Sequence, residues 1–326
     1  MDQKLVELID ENYSSLGSIA KAEAAEGHSI NSQNYIIRFS GGKKAICKLI
    51  RGADEENLFN LLKTLKFCEE GGAKVPIVLK SDSGEFVKHY DSGLAYLTLF
   101  IEGSHFDGSA GELENFAEEL AKLHKLLKEC KSEYDSGYDP ARYRHFSLGE
   151  LDEVEAKISN LEEQSDFDQY VLENMDFLRN HYSRSKAERE RIDPSKITKQ
   201  CIHYDLHPEN VLFSEGKTQI VLDFNSMRKG EIIRDVAFAC FRFALHKTDN
   251  ADEMRKRKER FMDSYSKASN LTVEEDANLL HYFVDECLSR ASYILRSHYF
   301  GGDSRWSFDL KKHIDNINAV EGFCHE

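Results

Sequence analysis

Residues 201–213 read Cys201-Ile-His-Tyr-Asp-Leu-His-Pro-Glu-Asn-Val-Leu-Phe213. They contain His203, Asp205 and Asn210 in the spacing H-x-D-x-x-x-x-N, and Asn210 leads at once into the strand-like run Val211–Phe213. Taken alone, an aspartate with an asparagine five residues on is no more than a turn or a helix cap. The continuation gives it weight. Ser214–Lys217 is a turn, and Gln219-Ile-Val-Leu-Asp-Phe-Asn225 is a hydrophobic strand that ends in Asp223. Such a hairpin brings Asn210 and Asp223 to one end, where hard oxygen ligands suit magnesium. Asp205 is then the carboxylate placed to orient a hydroxyl and accept its proton, which completes what phosphoryl transfer requires. His203 and His207 are expected to shape the loop rather than carry protons.

Upstream, Ala45-Ile-Cys-Lys48 supplies a lysine of the kind that grips nucleotide phosphates from a strand. Flanked by Ile46 and Ile50, Lys48 is poorly explained as solvated surface. The β-rich runs Tyr35–Ser40 and Lys44–Leu49 surround Gly41-Gly42, a two-residue hairpin signal. That turn sets Lys48 opposite Tyr35, facing inward with Ile37 and Ile46. Its expected partner is Glu55, on the same stripe as Leu58 and Leu62 of the helix Asp54–Glu70, with Glu56 second. Acids at that place also suit a helix N-terminus. No GxxxxGK[ST] and no GxGxxG occurs. The loop covering the phosphates therefore falls to Glu26–Asn34, where Ser29 and Asn31 stand among small polar residues able to offer backbone N–H groups.

Over 326 residues, 40% are hydrophobic and 31% charged, the composition of a globular chain with a real core. The net charge of −15 argues against a nucleic-acid partner, which needs a basic stripe. No apolar stretch is long enough for a bilayer, and Met1–Ser15 lacks a signal-peptide pattern, so a cytoplasmic location without a membrane partner is expected. Seven scattered cysteines without a CxxC pair read as reduced thiols, with Cys201 and Cys240 as small core residues.

Beyond the helix Asp2–Tyr13, the first hundred residues are mostly strand, including Val75–Lys80, Glu85–Tyr90 and Ala95–Ile101. After Glu102-Gly103 the character turns helical. Leu113, Phe116, Leu120, Leu123 and Leu127 mark a helix over Gly111–Glu129, and Ser147–Arg191 is expected to form two more. The fold class is thus α+β in two lobes. Residues 1–97 form a small, β-rich nucleotide-binding lobe, and residues 98–326 a larger, mainly helical catalytic and acceptor-binding lobe, with 98–103 as hinge. Lys48 falls in one lobe and Asp205, Asn210 and Asp223 in the other. A nucleoside triphosphate touching all four would lie between them, its adenine against the backbone of Thr98, Leu99, Phe100 and Ile101.

On these residues the chain resembles the aminoglycoside phosphotransferase and choline kinase-like superfamily, which has a protein-kinase-like fold. The nearest branches are the type II homoserine kinases and the N-acetylhexosamine kinases. His203–Phe213 is similar to that family's catalytic loop and Val221–Phe224 to its metal-binding strand. Glu26–Tyr35, Lys48, the helix from Asp54 and Thr98–Gly103 resemble its nucleotide loop, lysine, small-lobe helix and hinge. Gly230 and Arg234-Asp-Val-Ala237 are similar to its G-x-x-x-x-D-L-A stretch, in which Asp235 would brace the catalytic loop. Asn225 departs from the pattern, standing where Asp, Glu or Gly is frequent.

The resemblance implies a kinase that uses ATP and Mg2+ to phosphorylate a hydroxyl of a small metabolite. A sugar or amino sugar ranks first, then homoserine or a related amino alcohol, then an aminoglycoside or choline. Ser147–Arg191 and the helices from Leu279 onward would choose among them. A protein kinase is disfavoured, since no A-P-E segment occurs and few residues separate Asp223 from Gly230. An inactive binding protein on the same fold is disfavoured by the intact Asp205, Asn210 and Asp223.

Overall fold

The computed structural model describes residues 3–25, 32–91, 93–134, 136–137 and 140–324. In chain order the first elements are α1 (Gln3–Asn12), β1 (Ile19–Ala24), β2 (Ser32–Phe39), β3 (Lys44–Arg51), α2 (Glu55–Glu70), β4 (Val78–Leu79), β5 (Lys88–Tyr90), β6 (Gly93–Leu99) and α3 (Ala110–Cys130). Four helices follow: α4 (Pro140–Tyr143), α5 (Leu148–Ser159), α6 (Asp166–Glu173) and α7 (Met175–Arg189). Next come β7 (Lys199–Ile202), β8 (Val211–Ser214), β9 (Lys217–Val221) and β10 (Arg228–Glu231). The chain finishes with α8 (Ile232–Ala244), α9 (Ala251–Ser266), α10 (Val273–Ala277), α11 (Leu279–Gly301) and α12 (Asp309–Cys324). The packing separates two compact units, Met1–Ser136 with Glu209–Arg228 and Gly137–Pro208 with Lys229–Glu326.

The first unit is built on an antiparallel sheet of order β1-β2-β3-β6-β4, with β5 also paired to β6. Alternation along β3 decides which side faces what. Ala45, Cys47 and Leu49 are buried, while Ile46, Lys48 and Ile50 are half-buried on the opposite face. The buried side closes on Leu5, Ile9 and Tyr13 together with Ile37, Phe39, Ala95 and Leu97. Leu58, Leu61, Leu62 and Leu65 form the buried stripe of α2, which packs against α3 and β4. Strand β1, Ile-Ala-Lys-Ala-Glu-Ala, gives no β signal in the sequence. Its residues favour helix, and pairing with β2 overrides them, Ala22 lying opposite Ile37 and Glu23 opposite Ile36. Strands β4 and β5 are shorter than the runs expected for them.

The second unit is mainly helical. Helix α8 is buried almost all round, from Ile232 to Ala244, and packs on α9, α11 and β7. Helix α11 packs in addition on α4, α7 and α12. The stretch expected to form two helices, Ser147–Arg191, makes three. Ser165 accepts from the Asp168 N–H while the Asp168 carboxylate accepts from the Ser165 N–H, and this capping box starts a helix where continuous helix was expected. Cys201 and Cys240 are buried and form no disulfide, as their surroundings suggested.

Candidate active site

Lys48 is positioned by the β2–β3 hairpin. Its turn is one residue longer than Gly41-Gly42 alone requires. The Gly42 N–H donates to the Phe39 carbonyl at 2.9 Å, Gly42 turns through φ +82°, and the Phe39 N–H donates to the Lys43 carbonyl at 2.9 Å. This three-residue loop with a left-handed glycine shifts the pairing by one. Lys48 therefore lies opposite Asn34, and Tyr35 opposite Cys47. A one-residue slip exchanges faces. Ile37, expected beside Lys48, belongs to the opposite, fully buried side, and Lys48 shares its face with Ile46.

On β6 the residue across from Lys48 is Tyr96, whose buried phenol is pushed up, by burial first and by Asp223 after it. Lys48 Nζ lies 3.8 Å from Asp223 Oδ1, with the lysine side chain only 15% exposed. Burial pushes the ammonium below its ordinary value, and the Asp223 carboxylate offsets part of that.

Glu55 is placed elsewhere. Its carboxylate lies 3.0 Å from His89 Nε2, both side chains being exposed, and among the described residues no ion pair joins it to Lys48. Glu56 is exposed as well. Both acids stand in the first turn of α2, where side chains lean back past the packed stripe that starts at Leu58.

Asn210 and Asp223 sit at one end of the β8–β9 hairpin. Val211 pairs with Val221, and the Leu222 N–H donates to the Asn210 carbonyl at 2.7 Å. Asp223 turns the chain in the left-handed region, φ +57°, just before the short turn Phe224–Ser226. The hairpin is fixed to its unit from three sides. The Val221 N–H donates to the Lys74 carbonyl at 2.7 Å, the Thr218 N–H to Asn115 Oδ1 at 2.7 Å, and the Phe213 N–H to the Ser104 carbonyl at 2.8 Å. That last bridge explains Gly103, where any side chain would begin 2.9 Å from the Phe213 carbonyl oxygen. A carboxylate and a side-chain amide are both hard-oxygen donor types. Among the described residues no group of three His, Cys, Asp or Glu side chains could hold an ion. Magnesium fits such a sparse set, since it keeps waters and phosphate oxygens as its remaining ligands.

The loop carrying Asp205 belongs to the second unit. Asp235, buried on α8, accepts the His203 N–H on Oδ2 and the Tyr204 N–H on Oδ1, both at 2.6 Å. Tyr204 is left-handed, φ +72°, and the Asp205 N–H donates to His203 Nδ1 at 3.2 Å. His203 is therefore a fully buried loop-shaping residue. Gly230 admits Ile202, whose Cδ1 would stand 2.5 Å from any added Cβ.

Arg290 of α11 braces the other side of this loop. Its Nη1 lies 3.2 Å from Asp205 Oδ1 and its Nη2 donates to the Tyr204 carbonyl at 3.0 Å. Its Nε donates to Glu286 at 3.1 Å, and its guanidinium stacks 4.4 Å from the Phe238 ring centroid. Glu286 in turn accepts from Arg234 at 3.3 Å, next in sequence to Asp235, so the bracing closes on itself. His207 Nε2 stands 3.6 Å from Asp205 Oδ2. Burial pushes the Asp205 carboxyl up, but His207 and Arg290 outweigh it and hold the group well below the usual carboxylate range. Sequence reading missed Arg290 and Glu286. The signal was present: two charges four residues apart in a helix whose neighbours Cys287, Leu288 and Ala291 are apolar and buried.

Of the expected hinge residues, Leu99 donates its N–H to the Ile77 carbonyl at 2.9 Å and Phe100 to the Lys44 carbonyl at 3.1 Å. Thr98 pairs with Ile46 and Val78. Ile101 follows the strand. Ser29 and Asn31 lie outside the described residues, in the connection between β1 and β2. No helix among the described residues is long and apolar enough to cross a membrane.

A homoserine kinase of Methylobacillus flagellatus is 23% identical over 250 residues, covering 76% of this chain and 71% of that protein. A spectinomycin phosphotransferase solved with ADP and spectinomycin superposes with a TM-score of 0.70 at 17% identity, covering 98% of each chain. A choline kinase of Streptococcus pneumoniae gives 0.57 at 17% identity, covering 99% of this chain and 100% of its own. The shared fold is the protein-kinase-like α+β fold expected from the sequence. The profile of the phosphotransferase enzyme family that includes the aminoglycoside phosphotransferases matches residues 22–268, from β1 through the Asp205 loop and the β8–β9 hairpin to the end of α9. Lys48, Asp223 and the braced loop of Asp205 all fall inside that span, and this chain belongs to that family and is a kinase acting on an alcohol group of a small molecule.

Proposed function

We propose that this kinase transfers the γ-phosphoryl group of ATP, with Mg2+, to a hydroxyl of a small metabolite. Asp205 takes the hydroxyl proton as the acceptor oxygen bonds to the γ-phosphorus. The bond from that phosphorus to the bridging oxygen breaks, and ADP leaves. Lys48 grips the phosphates, and Asn210 and Asp223 hold magnesium, which when bound neutralises charge on the phosphate oxygens. Ser29 and Asn31 belong to the loop covering those phosphates. The adenine lies against the backbone of Thr98–Ile101, with residues 1–97 as the nucleotide lobe, 98–103 as hinge and 98–326 as the catalytic and acceptor lobe. The enzyme works in the cytoplasm. The observation that carries the reading is Lys48 Nζ at 3.8 Å from Asp223 Oδ1, the phosphate cation resting on the metal carboxylate.

The sequence ranking places a sugar or amino sugar first as acceptor. One observation favours the second reading, homoserine or a related amino alcohol: the relative matched over 76% of the chain is a homoserine kinase. Magnesium-dependent ATP consumption, measured with sugars, amino sugars, homoserine, choline and aminoglycosides in parallel, tests both. Turnover above the acceptor-free rate with one class names the acceptor. ATP consumption with none of them would contradict the proposed range of acceptors.

A further inference from the structure

Asn225, noted in the sequence as a departure from the pattern that the chain resembles, makes specific contacts. Its Nδ2 donates to Asp223 Oδ1 at 2.5 Å. A carboxylate only accepts, so the amide must turn its NH2 toward Asp223. The Asn225 backbone is held as well, because the Tyr134 O–H donates to its carbonyl at 2.8 Å and the Met227 N–H closes the turn on the Phe224 carbonyl at 3.1 Å. Lys48 reaches the same oxygen, Oδ1. Both contacts fall on one side of the carboxylate. Among the described residues no protein donor meets Oδ2, and the Asp223 side chain is about half exposed, at 48%.

Resting on the reading of Asp223 as a metal ligand, we propose that Asn225 restricts Asp223 to one-oxygen ligation and so biases the site toward magnesium over calcium. The chemistry follows from what each ion accepts. Magnesium takes six oxygens at about 2.0–2.1 Å in near-ideal octahedral geometry, to which a carboxylate contributes one oxygen. Calcium accepts about six to eight at longer distances and readily takes both oxygens of one carboxylate. With Oδ1 accepting an amide N–H and facing the Lys48 ammonium, Oδ2 is the more open oxygen, and a cation held by both oxygens would be drawn toward that ammonium. Asn225 touches neither ion. It acts by fixing the angle of the group that does, as outer partners of metal ligands do.

The test measures binding rather than turnover. Mg2+ and Ca2+ are each titrated by calorimetry into the full-length protein with a non-hydrolysable ATP analogue, for the parent, Asn225→Ala and Asp223→Ala. Asn225→Ala should lower the preference for magnesium over calcium by about tenfold, the usual scale of an outer-partner substitution. Tyr134→Phe, which removes the hydroxyl that anchors the Asn225 carbonyl, should shift the ratio in the same direction by less, and provides the reading if Asn225→Ala does not fold. A ratio unchanged from the parent overturns the role of Asn225. Unchanged affinities for both ions in Asp223→Ala would instead overturn the metal assignment on which it rests.

Discussion

Arg290 and Asp205 form an ion pair in which the arginine's Nη1 stands 3.2 Å from the carboxylate while its Nη2 holds the carbonyl of the preceding residue, Tyr204. The guanidinium thus holds both the Asp205 side chain and the backbone of the loop that carries it. Burial works against its charge, but Asp205 and Glu286 more than offset that and keep it charged.

Arg290→Gln should therefore lower kcat by about a hundredfold, the scale of a misplaced general base, with the KM for ATP close to the parent value. The pH dependence has a definite sign. In the fold the Asp205 carboxyl is depressed, so its ionised form stabilises the protein above the unfolded value of about 3.9. That contribution is lost as pH falls through the lower folded value. Asp205 stays ionised across the neutral range, and its protonation does not limit the parent enzyme there. Without Arg290 the carboxyl rises, and the acid limb of kcat moves to higher pH. Arg290→Lys keeps the charge but not the two-pronged geometry, and should recover the pH profile better than the rate. An unshifted acid limb in Arg290→Gln would show that His207 alone sets the state of Asp205.

Asp205→Asn separates chemistry from nucleotide binding. The amide is nearly isosteric and cannot take the acceptor proton, so kcat should fall by about 10²–10⁴-fold. Affinity for a non-hydrolysable ATP analogue should stay near that of the parent. Turnover at the parent rate would remove Asp205 from the mechanism.

The candidate site is legible in the sequence only as far as its spacing is local. Asp205, Asn210 and Asp223 lie within one loop and one hairpin, and local turn residues fix where that hairpin folds. The position of Lys48 on a half-buried face was legible for a similar reason, since Ile46 and Ile50 flank it two residues away on the same side. Its exact neighbours were not. Gly41-Gly42 is compatible with two turn lengths, and only the hydrogen bonds of Phe39 choose the one that sets Lys48 opposite Asn34. Glu55 failed for a different reason. Helical periodicity put it on the buried stripe, but periodicity says nothing about how far that stripe stays covered at a helix end. Arg290 lies 85 residues beyond Asp205, and no local pattern links them. Strand β1 exists because β2 offers it an edge, which its own residues do not announce.

The hinge yields the last prediction. Adenine is recognised in this reading by backbone groups, so side-chain substitutions there should matter little and a lost N–H should matter a great deal. Leu99 and Phe100 already give their N–H groups to Ile77 and Lys44. Among the described residues the Ile101 amide has no such backbone partner, which leaves it as the donor for a ring nitrogen of the base. Ile101→Pro removes that donor and no backbone bond of the fold. The loss of one hydrogen bond, about 1–1.5 kcal/mol, should raise the Kd for an ATP analogue roughly tenfold. The thermal midpoint should stay near the parent value, because Ile101 is neither in a helix nor in a strand. Ile101→Ala keeps the N–H and should bind the analogue as the parent does, apart from lost apolar contact. If the proline and alanine variants bind alike, the base is not held by this amide, and the adenine has to be sought away from Thr98–Ile101.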